Sequence, residues 1–280
     1  MNMAAQIVNS GKATVHIYSK PSVIKVPVIN PNAVQPGTPD LPAVKGKYYA
    51  LIIGINNYSD PSIAELDKPI RDAELFYNTI TSKYTFNPED VRFLKDATMA
   101  QMVEALDSYA KKVRPEDSFL IFYAGHGVWD ATSEIGFWLP SDALKNSKLA
   151  WFRNSTLRDY LREIKSKHTL LISDACFGGS ILKTRKAFDD ASLAINKLYE
   201  VPSRKAMTSG NTTEEVPDQS AFLKYLVERL ASNSEKYLSS EQLFSSFKIA
   251  VMNNSNVVPQ FGVIQEVGDE GGDFIFILRE

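Results

Sequence analysis

The chain has 280 residues, of which 44% are hydrophobic and 23% charged, with a formal net charge of −2 and one cysteine. One cysteine excludes an internal disulfide framework and a zinc cluster built on several thiolates. The near-balanced charge argues against a nucleic-acid partner, which normally requires a basic excess. Neither a membrane-length apolar run nor a secretion signal is recognisable. We therefore expect a globular cytoplasmic protein without a membrane partner.

Proline sets residues 1–46 apart from the rest of the chain. Six of the 14 prolines lie there, and each removes a backbone donor and restricts the residue before it. We predict a Pro-rich N-terminal arm or linker, with room for one short strand at 14–18, where apolar and polar residues alternate. An extended surface arm is the simpler interpretation, and a pro-segment is the alternative.

From residue 47 onward, apolar runs of strand length alternate with apolar residues at helical spacing. Strands that are apolar on both faces are typical of a parallel sheet covered on both sides by helices. The fold class is therefore α/β, with a largely parallel central sheet of about six strands flanked by helices on both faces. The predicted order is strand 48–55, helix 70–80, strand 91–94, helix 99–113, strands 119–124 and 135–139, helix 157–164, strand 169–173, helices 219–231 and 240–252, and strand 274–278.

Three predicted strand ends carry glycine together with polar or reactive residues. Active sites in open α/β sheets form at the carboxyl ends of the strands, which makes these three segments the first place to look for chemistry. They are 54–57 (GINN), 125–127 (GHG) and 174–179 (DACFGG).

Cys176 follows one of these strand ends and needs a base to attack as a thiolate. His168 lies eight positions earlier on the same extended segment, about 26 Å away at roughly 3.3 Å per residue and too far for proton transfer. His16 lies in the Pro-rich arm, a poor setting for a firmly held base. His126, between two glycines at its own strand end, is the remaining partner, and its position before Cys176 excludes a papain-like order. Each residue alone also has a structural interpretation, as a buried thiol or a hydrogen-bonded loop histidine.

These segments resemble the caspase/metacaspase group of cysteine peptidases, and bacterial caspase-like members of the orthocaspase type above all. His126 precedes Cys176 by 50 residues, and a caspase signature has its histidine about 50 residues before the cysteine. The similarity covers about 48–278. Its segments are 48–55 (YYALIIGI), 122–127 (FYAGHG), 171–179 (LISDACFGG), 203–210 (SRKAMTSG) and 271–276 (GGDFIF).

The resemblance implies a caspase-like peptidase domain over 47–280, with a large part over about 47–182, a linker over about 183–205 and a small part over about 206–280. It implies hydrolysis through an acyl-enzyme, with Cys176 as nucleophile and His126 as general acid and base. The backbone N–H groups of Gly127 and Cys176 are then expected to hold the oxyanion. Neither a third catalytic residue nor a metal ligand is assigned.

Asp174 stands where the caspase signature has Gln. Positions two apart on a strand face the same side, so Asp174 should lie beside Cys176, where a carboxylate favours a basic substrate residue. The resemblance pairs it with a second aspartate at the start of the first helix, Asp72. Cleavage after Arg or Lys is the preferred hypothesis, while Arg204 near the expected cleft leaves cleavage after Asp as an alternative. Asp72 also suits a helix N-terminus, and Asp174 could be a structural acceptor.

Metacaspases often need calcium, and the sequence leaves calcium activation open. No cofactor is required by any motif. The acidic candidates lack the ligand spacing of a recognised calcium loop; they are Asp189, Asp190, Glu214, Glu215 and Asp218.

Basic residues in the expected linker allow self-cleavage if the enzyme prefers them, whereas a polar surface helix or loop is an equally good interpretation of this segment. These residues are Lys183, Arg185, Lys186, Lys197, Arg204 and Lys205.

The expected partners are protein or peptide substrates, together with a regulatory protein that the sequence does not identify. Resemblance alone suggests a role in bacterial cell death or anti-phage defence. The alternative from a different class is a catalytically silent caspase-like module that binds partners, although the presence of both His126 and Cys176 argues against it.

Overall fold

The computed structural model describes residues 46–175, 181–183, 194–210 and 220–280. The predictions for the arm, including His16 and the strand at 14–18, lie outside these residues. So do those for Cys176 and the glycines after it, and for Arg185 and Lys186.

From residue 47 onward, every helix and strand predicted from the sequence has a counterpart in the described part of the chain. Their ends differ from the prediction by a few residues, and β2 is the main extension. In chain order the elements are β1 (Tyr48–Gly54), α1 (Pro69–Lys83), β2 (Phe86–Lys95), α2 (Met99–Lys112), β3 (Ser118–Ala124), β4 (Gly127–Asp130), β5 (Ile135–Trp138), β6 (Phe152–Arg153), α3 (Asn154–Glu163), β7 (His168–Asp174), β8 (Leu182–Lys183), α4 (Ala194–Glu200), β9 (Ser203–Thr208), α5 (Ala221–Ser232), β10 (Tyr237–Ser239), α6 (Ser240–Asn254), β11 (Gln260–Ile264) and β12 (Ile275–Ile277).

The central sheet has the strand order β2-β1-β3-β7-β9-β11-β8 in the described residues. Strands β2, β1, β3, β7 and β9 pair in parallel, whereas β11 is antiparallel to both β9 and the two-residue β8. The sheet therefore has six strands of ordinary length and one short edge strand. This arrangement confirms the predicted α/β class and its largely parallel sheet.

Both faces of the sheet are buried, because successive side chains of a strand point to opposite sides. On one face, Ile52 and Phe122 belong to a core that includes residues of α1, α5 and α6. On the other face, Ile53 and Ile121 pack in a core with residues of α2 and α3. Each fully buried aliphatic or aromatic side chain contributes about 1.5–3 kcal/mol, which explains why the apolar runs predict these strands so well.

Two predicted strands lie outside the central sheet. Strand β5 pairs with β4 and β6 in a three-stranded antiparallel sheet, and β12 pairs with β10. Three strands of the central sheet, β8, β9 and β11, were not predicted. Strand β9 begins with Ser203, Arg204 and Lys205. Ser203 and Arg204 are buried although they are polar, so the sequence has no apolar run at the start of this strand.

The start of α1 is held against the end of β1. A Cβ atom on Gly54 would lie 2.9 Å from the Cα atom of Ile70 and from the carbonyl oxygen of Pro69, so only glycine permits this close approach. The backbone N–H of Ile70 donates to Oδ1 of Asn56 at 2.9 Å. The first turn of α1 is therefore fixed relative to the carboxyl end of the sheet. Among the described helices, none is both long and apolar enough to cross a membrane.

Candidate active site

The carboxyl ends of three neighbouring strands lie level with one another. Gly54 of β1 pairs with Ala124 of β3, and Ala124 pairs with Asp174 of β7. His126 follows Ala124 by two residues, and Cys176 follows Asp174 by two residues in the sequence. Cys176 itself lies outside the described residues, so its distance to His126 stays a prediction.

The backbone around His126 is fixed by two tyrosines. The backbone N–H of His126 donates to the hydroxyl oxygen of Tyr58 at 2.9 Å. Its carbonyl oxygen accepts from the hydroxyl of Tyr123 at 2.7 Å. A Cβ atom on Gly125 would lie 2.9 Å from that same Tyr123 hydroxyl, which explains why glycine precedes the histidine. Hydrogen bonds therefore hold both the backbone N–H and the backbone carbonyl of the half-buried His126.

The imidazole of His126 has a defined partner. Its Nε2 atom lies 2.8 Å from the backbone carbonyl oxygen of Ala64. Because a carbonyl only accepts, we assign the Nε2 proton as the donor in this hydrogen bond. In the neutral ring, Nδ1 is then the nitrogen that can take a proton. The ring of Tyr58 packs beside the imidazole, with 5.2 Å between the ring centroids.

Asp96, directly after β2, anchors the loop that carries Tyr58 and Ala64. Its Oδ1 atom accepts from the backbone N–H groups of Asn56 at 2.8 Å and Asn57 at 3.0 Å. Its Oδ2 atom accepts from the side-chain amide of Asn57 at 2.7 Å. Since Asn56 also holds the start of α1, one loop positions both the histidine and the helix that carries Asp72.

Asp174 is the last residue of β7 and is only 8% exposed. Its Oδ1 atom accepts a hydrogen bond from the hydroxyl of Ser220 at 2.9 Å. Burial raises the pKa of the Asp174 carboxyl to about 6, and the negative charge of Asp72 adds to the increase, while the Ser220 hydrogen bond opposes it. The carboxyl therefore changes its charge within the pH range in which most enzymes work.

Asp72 lies in the first turn of α1 and interacts electrostatically with Asp174. With Ser220 it lines a groove of about 610 Å³ between α1 and α5. Asp72 and Asp174, the two aspartates proposed from the sequence, therefore lie close enough to interact. Gly127, the expected oxyanion donor, begins β4 and pairs with Trp138 of β5.

Arg204 does not lie near this rim, which corrects the sequence-based expectation. It pairs with Thr169 near the amino end of β7, whereas Asp174 ends the same strand. Its guanidinium is buried and donates to the carbonyl oxygens of Lys167, Ser203 and Ser166 at 3.1, 2.8 and 2.8 Å. The polar character that suggested a substrate contact instead serves the packing of β9.

His168 is a structural residue, in agreement with its exclusion as the base. It begins β7 and is fully buried. Its Nδ1 atom lies 3.0 Å from the hydroxyl of Ser203, and its Nε2 atom lies 3.0 Å from the carbonyl oxygen of Tyr199. Burial lowers its pKa to about 3, so the ring stays neutral in ordinary buffers.

In the parts of the chain that the structure describes, no group of three or more His, Cys, Asp or Glu side chains could hold a metal ion. The acidic residues considered for calcium from the sequence all lie outside these parts.

Comparison with known proteins assigns the family. The sequence profile described as Caspase domain matches residues 47–263. The chain belongs to this caspase family of peptidases. Metacaspase-1 from Kluyveromyces lactis is 34% identical over 90 residues, which cover 29% of this chain and 20% of the relative. Metacaspase-1 from Saccharomyces cerevisiae (strain S288c) is 33% identical over 90 residues, with the same coverage. The matches span about a fifth of the length of these relatives.

A solved structure supports the fold of this caspase domain. Protein GSU0716 from Geobacter sulfurreducens aligns with a TM-score of 0.55 at 19% identity, covering 81% of this chain and 99% of that chain. At this level of identity the likeness extends to the fold alone.

Three contacts in the caspase domain were not predicted from the sequence. They are the Tyr58 hydroxyl on the His126 backbone, the Ala64 carbonyl on the His126 ring, and the Ser220 hydroxyl on Asp174. A backbone carbonyl has no side-chain signature, so Ala64 could not have been found. Ser220 lies at the start of the predicted helix 219–231, where serine is a common N-cap, so its residue type did not point to a second partner.

Proposed function

We propose that this caspase domain is a cysteine endopeptidase in which Cys176 is the nucleophile and His126 the general acid and base. The register that pairs Ala124 with Asp174 carries this proposal, because the chain reaches His126 and Cys176 two residues after these neighbouring strand ends. The hydrogen bond from Nε2 of His126 to Ala64 supports it further, since it orients Nδ1 as the proton acceptor.

In the proposed reaction, Nδ1 of His126 accepts the proton of the Cys176 thiol as the sulfur attacks the scissile carbonyl carbon. The new S–C bond gives a tetrahedral oxyanion, which accepts hydrogen bonds from the backbone N–H groups of Gly127 and Cys176. The imidazolium then protonates the amine as the C–N bond breaks. A water molecule gives a proton to His126 and attacks the thioester, and the carboxylate product leaves as the thiol is restored.

We also propose cleavage after Arg or Lys, because two interacting carboxyl groups, those of Asp174 and Asp72, lie at the end of β7 and in the first turn of α1. Asp174 ends β7, and Asp72 lies close enough to influence its charge. A basic side chain between them would relieve their mutual repulsion, whereas an acidic one would add to it. Arg204 was the residue that favoured an acidic substrate, and its guanidinium is bound to backbone carbonyls away from the rim.

The proposed substrates are proteins, with a regulatory partner still to be identified. The suggested setting in bacterial cell death or anti-phage defence rests on family resemblance.

The decisive experiment assays the purified chain on fluorogenic peptides that end in Arg, Lys or Asp, with and without calcium. We expect cleavage of the Arg and Lys peptides, abolished in Cys176→Ala and reduced about 10²- to 10⁴-fold in His126→Ala. Activity that survives Cys176→Ala would contradict the proposed nucleophile. Cleavage of the Asp peptide alone would overturn the specificity, and a well-folded chain that cleaves no peptide would favour the silent interaction module.

A further inference from the structure

Ser220 joins the start of α5 to the end of β7. As the N-cap of α5, its Oγ atom accepts a hydrogen bond from the backbone N–H of Leu223 at 3.1 Å. The same oxygen lies 2.9 Å from Oδ1 of Asp174. A serine hydroxyl has one proton, and an N-cap oxygen must accept from the helix. Its proton is therefore directed to the Asp174 carboxylate.

We propose that Ser220 is a positioning residue for substrate recognition, whose hydroxyl fixes Oδ1 of Asp174 and thereby sets the orientation of the carboxylate toward a basic substrate side chain. This inference rests on the proposed role of Asp174 in binding Arg or Lys. The geometry is specific, because the serine is itself fixed by α5 and cannot rotate its proton away without losing the acceptor.

The charges around Asp174 show why such a residue is needed. Asp72 of α1 repels the Asp174 carboxylate, and burial disfavours its charged form. Lys68 and Arg71 at the start of α1 and Lys224 in the first turn of α5 line the adjoining groove. The N-terminal end of α5 adds a positive partial charge. Ser220 lowers the pKa of Asp174, so its hydroxyl keeps the carboxylate ionised to lower pH.

The test compares Ser220→Ala, which removes the hydroxyl, with Ser220→Thr, which keeps it. Ser239→Ala is the matched control, because Ser239 is the N-cap of α6 and accepts from the backbone N–H of Gln242 at 3.2 Å. Both alanine variants lose a helix cap, but only one loses a partner of Asp174. For each protein, kcat and KM are measured against pH on an Arg peptide and on its uncharged citrulline analogue.

We expect Ser220→Ala to raise KM for the Arg peptide about tenfold with little change in kcat, since a hydrogen bond to a charged group is lost. The acidic limb of kcat/KM should move to higher pH by about one unit. The citrulline peptide, Ser220→Thr and Ser239→Ala should show neither change. An unchanged acidic limb and Arg preference in Ser220→Ala would overturn the inference.

A titration of Asp174 separates this inference from the proposed function. In protein labelled with ¹³C at aspartate carboxyls, Asp174 is assigned by its loss in Asp174→Asn. Its pKa should be higher in Ser220→Ala than in the unmodified chain or Ser239→Ala, whether or not any peptide is cleaved. An unchanged titration contradicts the Ser220 inference, whereas failure to cleave Arg and Lys peptides contradicts the proposed function.

Discussion

Ala124 and Asp174 are the last residues of β3 and β7, and they face each other in the parallel register of the two strands. Each is followed two residues later by a proposed catalytic residue, His126 or Cys176. From these neighbouring parallel strand ends we therefore expect the proposed base and nucleophile to meet at one rim of the sheet. Loops then need to fix only the orientation of the side chains.

Tyr58→Phe should lower kcat about five- to tenfold with little effect on KM, because it leaves the backbone N–H of His126 without its acceptor. The measurement is steady-state kinetics on an Arg peptide. Tyr84→Phe is the control, since it removes a buried tyrosine hydroxyl that donates to the carbonyl oxygen of Leu230 at 2.8 Å. Equal kcat values in the two variants would show that Tyr58 does not position the histidine.

Asp174→Asn should stabilise the fold at neutral pH while impairing cleavage after basic residues. Burial raises the pKa of Asp174 to about 6, above its value in the unfolded chain. At pH values between these two pKa values, the folded protein keeps a proton that the unfolded chain has lost. The stability from the protonated form is complete below about pH 4 and is lost as pH rises through about 6, a loss of about 3 kcal/mol. The neutral amide escapes this loss.

Urea unfolding at about pH 4 and about pH 7.5 checks this expectation. Asp174→Asn should match the unmodified chain at the lower pH and exceed it by about 1–3 kcal/mol at the higher pH. Asp159→Asn on α3 is the control, because that side chain is 61% exposed. A variant less stable than the unmodified chain at both pH values would contradict the prediction.

Arg204→Ala should destabilise the fold by about 2–4 kcal/mol without altering substrate charge preference. The substitution leaves three carbonyl oxygens without the buried guanidinium that donates to them. Denaturant unfolding measures the first effect, and the ratio of rates on Arg and Asp peptides measures the second. A changed ratio of these rates would show that Arg204 does contribute to substrate recognition.

Self-cleavage, if the active enzyme performs it, should not occur after Arg204 or Lys205. Both lie in β9 of the central sheet, and Lys205 pairs with Asp269 at 3.2 Å. Arg185 and Lys186 are the expected positions instead. Intact-mass spectrometry of the unmodified chain and of the Arg185→Ala/Lys186→Ala variant shows at which of these positions the chain is cut. Fragments that end at Arg204 would contradict the prediction, and an intact chain in an active preparation would show that no cut is required.

The parts of the fold that could be predicted are those whose burial is apolar. Strands β1, β3 and β7 are buried along their whole length, so the sequence shows continuous hydrophobic runs. Strand β9 is equally central, but its Arg204 is buried through hydrogen bonds to backbone carbonyls. A pattern based on hydrophobicity cannot identify a strand whose buried residue is polar.

The candidate site also contains residues that the sequence pattern indicates and residues that it does not. His126 and Asp174 could be singled out as candidates, because each lies at or just after a predicted strand end next to glycine or a reactive residue, and the spacing of His126 to Cys176 agrees with the caspase signature. The Ala64 carbonyl and the Tyr58 hydroxyl could not, since both come from a loop whose path depends on Asp96. Tertiary contacts, not residue type, make these groups part of the site.

The loop that contains Asn56, Tyr58 and Ala64 has a consequence for how such an enzyme can change over evolutionary time. Asn56 of this loop accepts a hydrogen bond from the start of the helix that carries Asp72. Tyr58 and Ala64 form hydrogen bonds with His126. A substitution that shifts this loop to admit a different substrate charge will also shift the base. Selectivity and turnover should therefore vary together across loop variants, and a new specificity will require compensating changes on both sides of the loop.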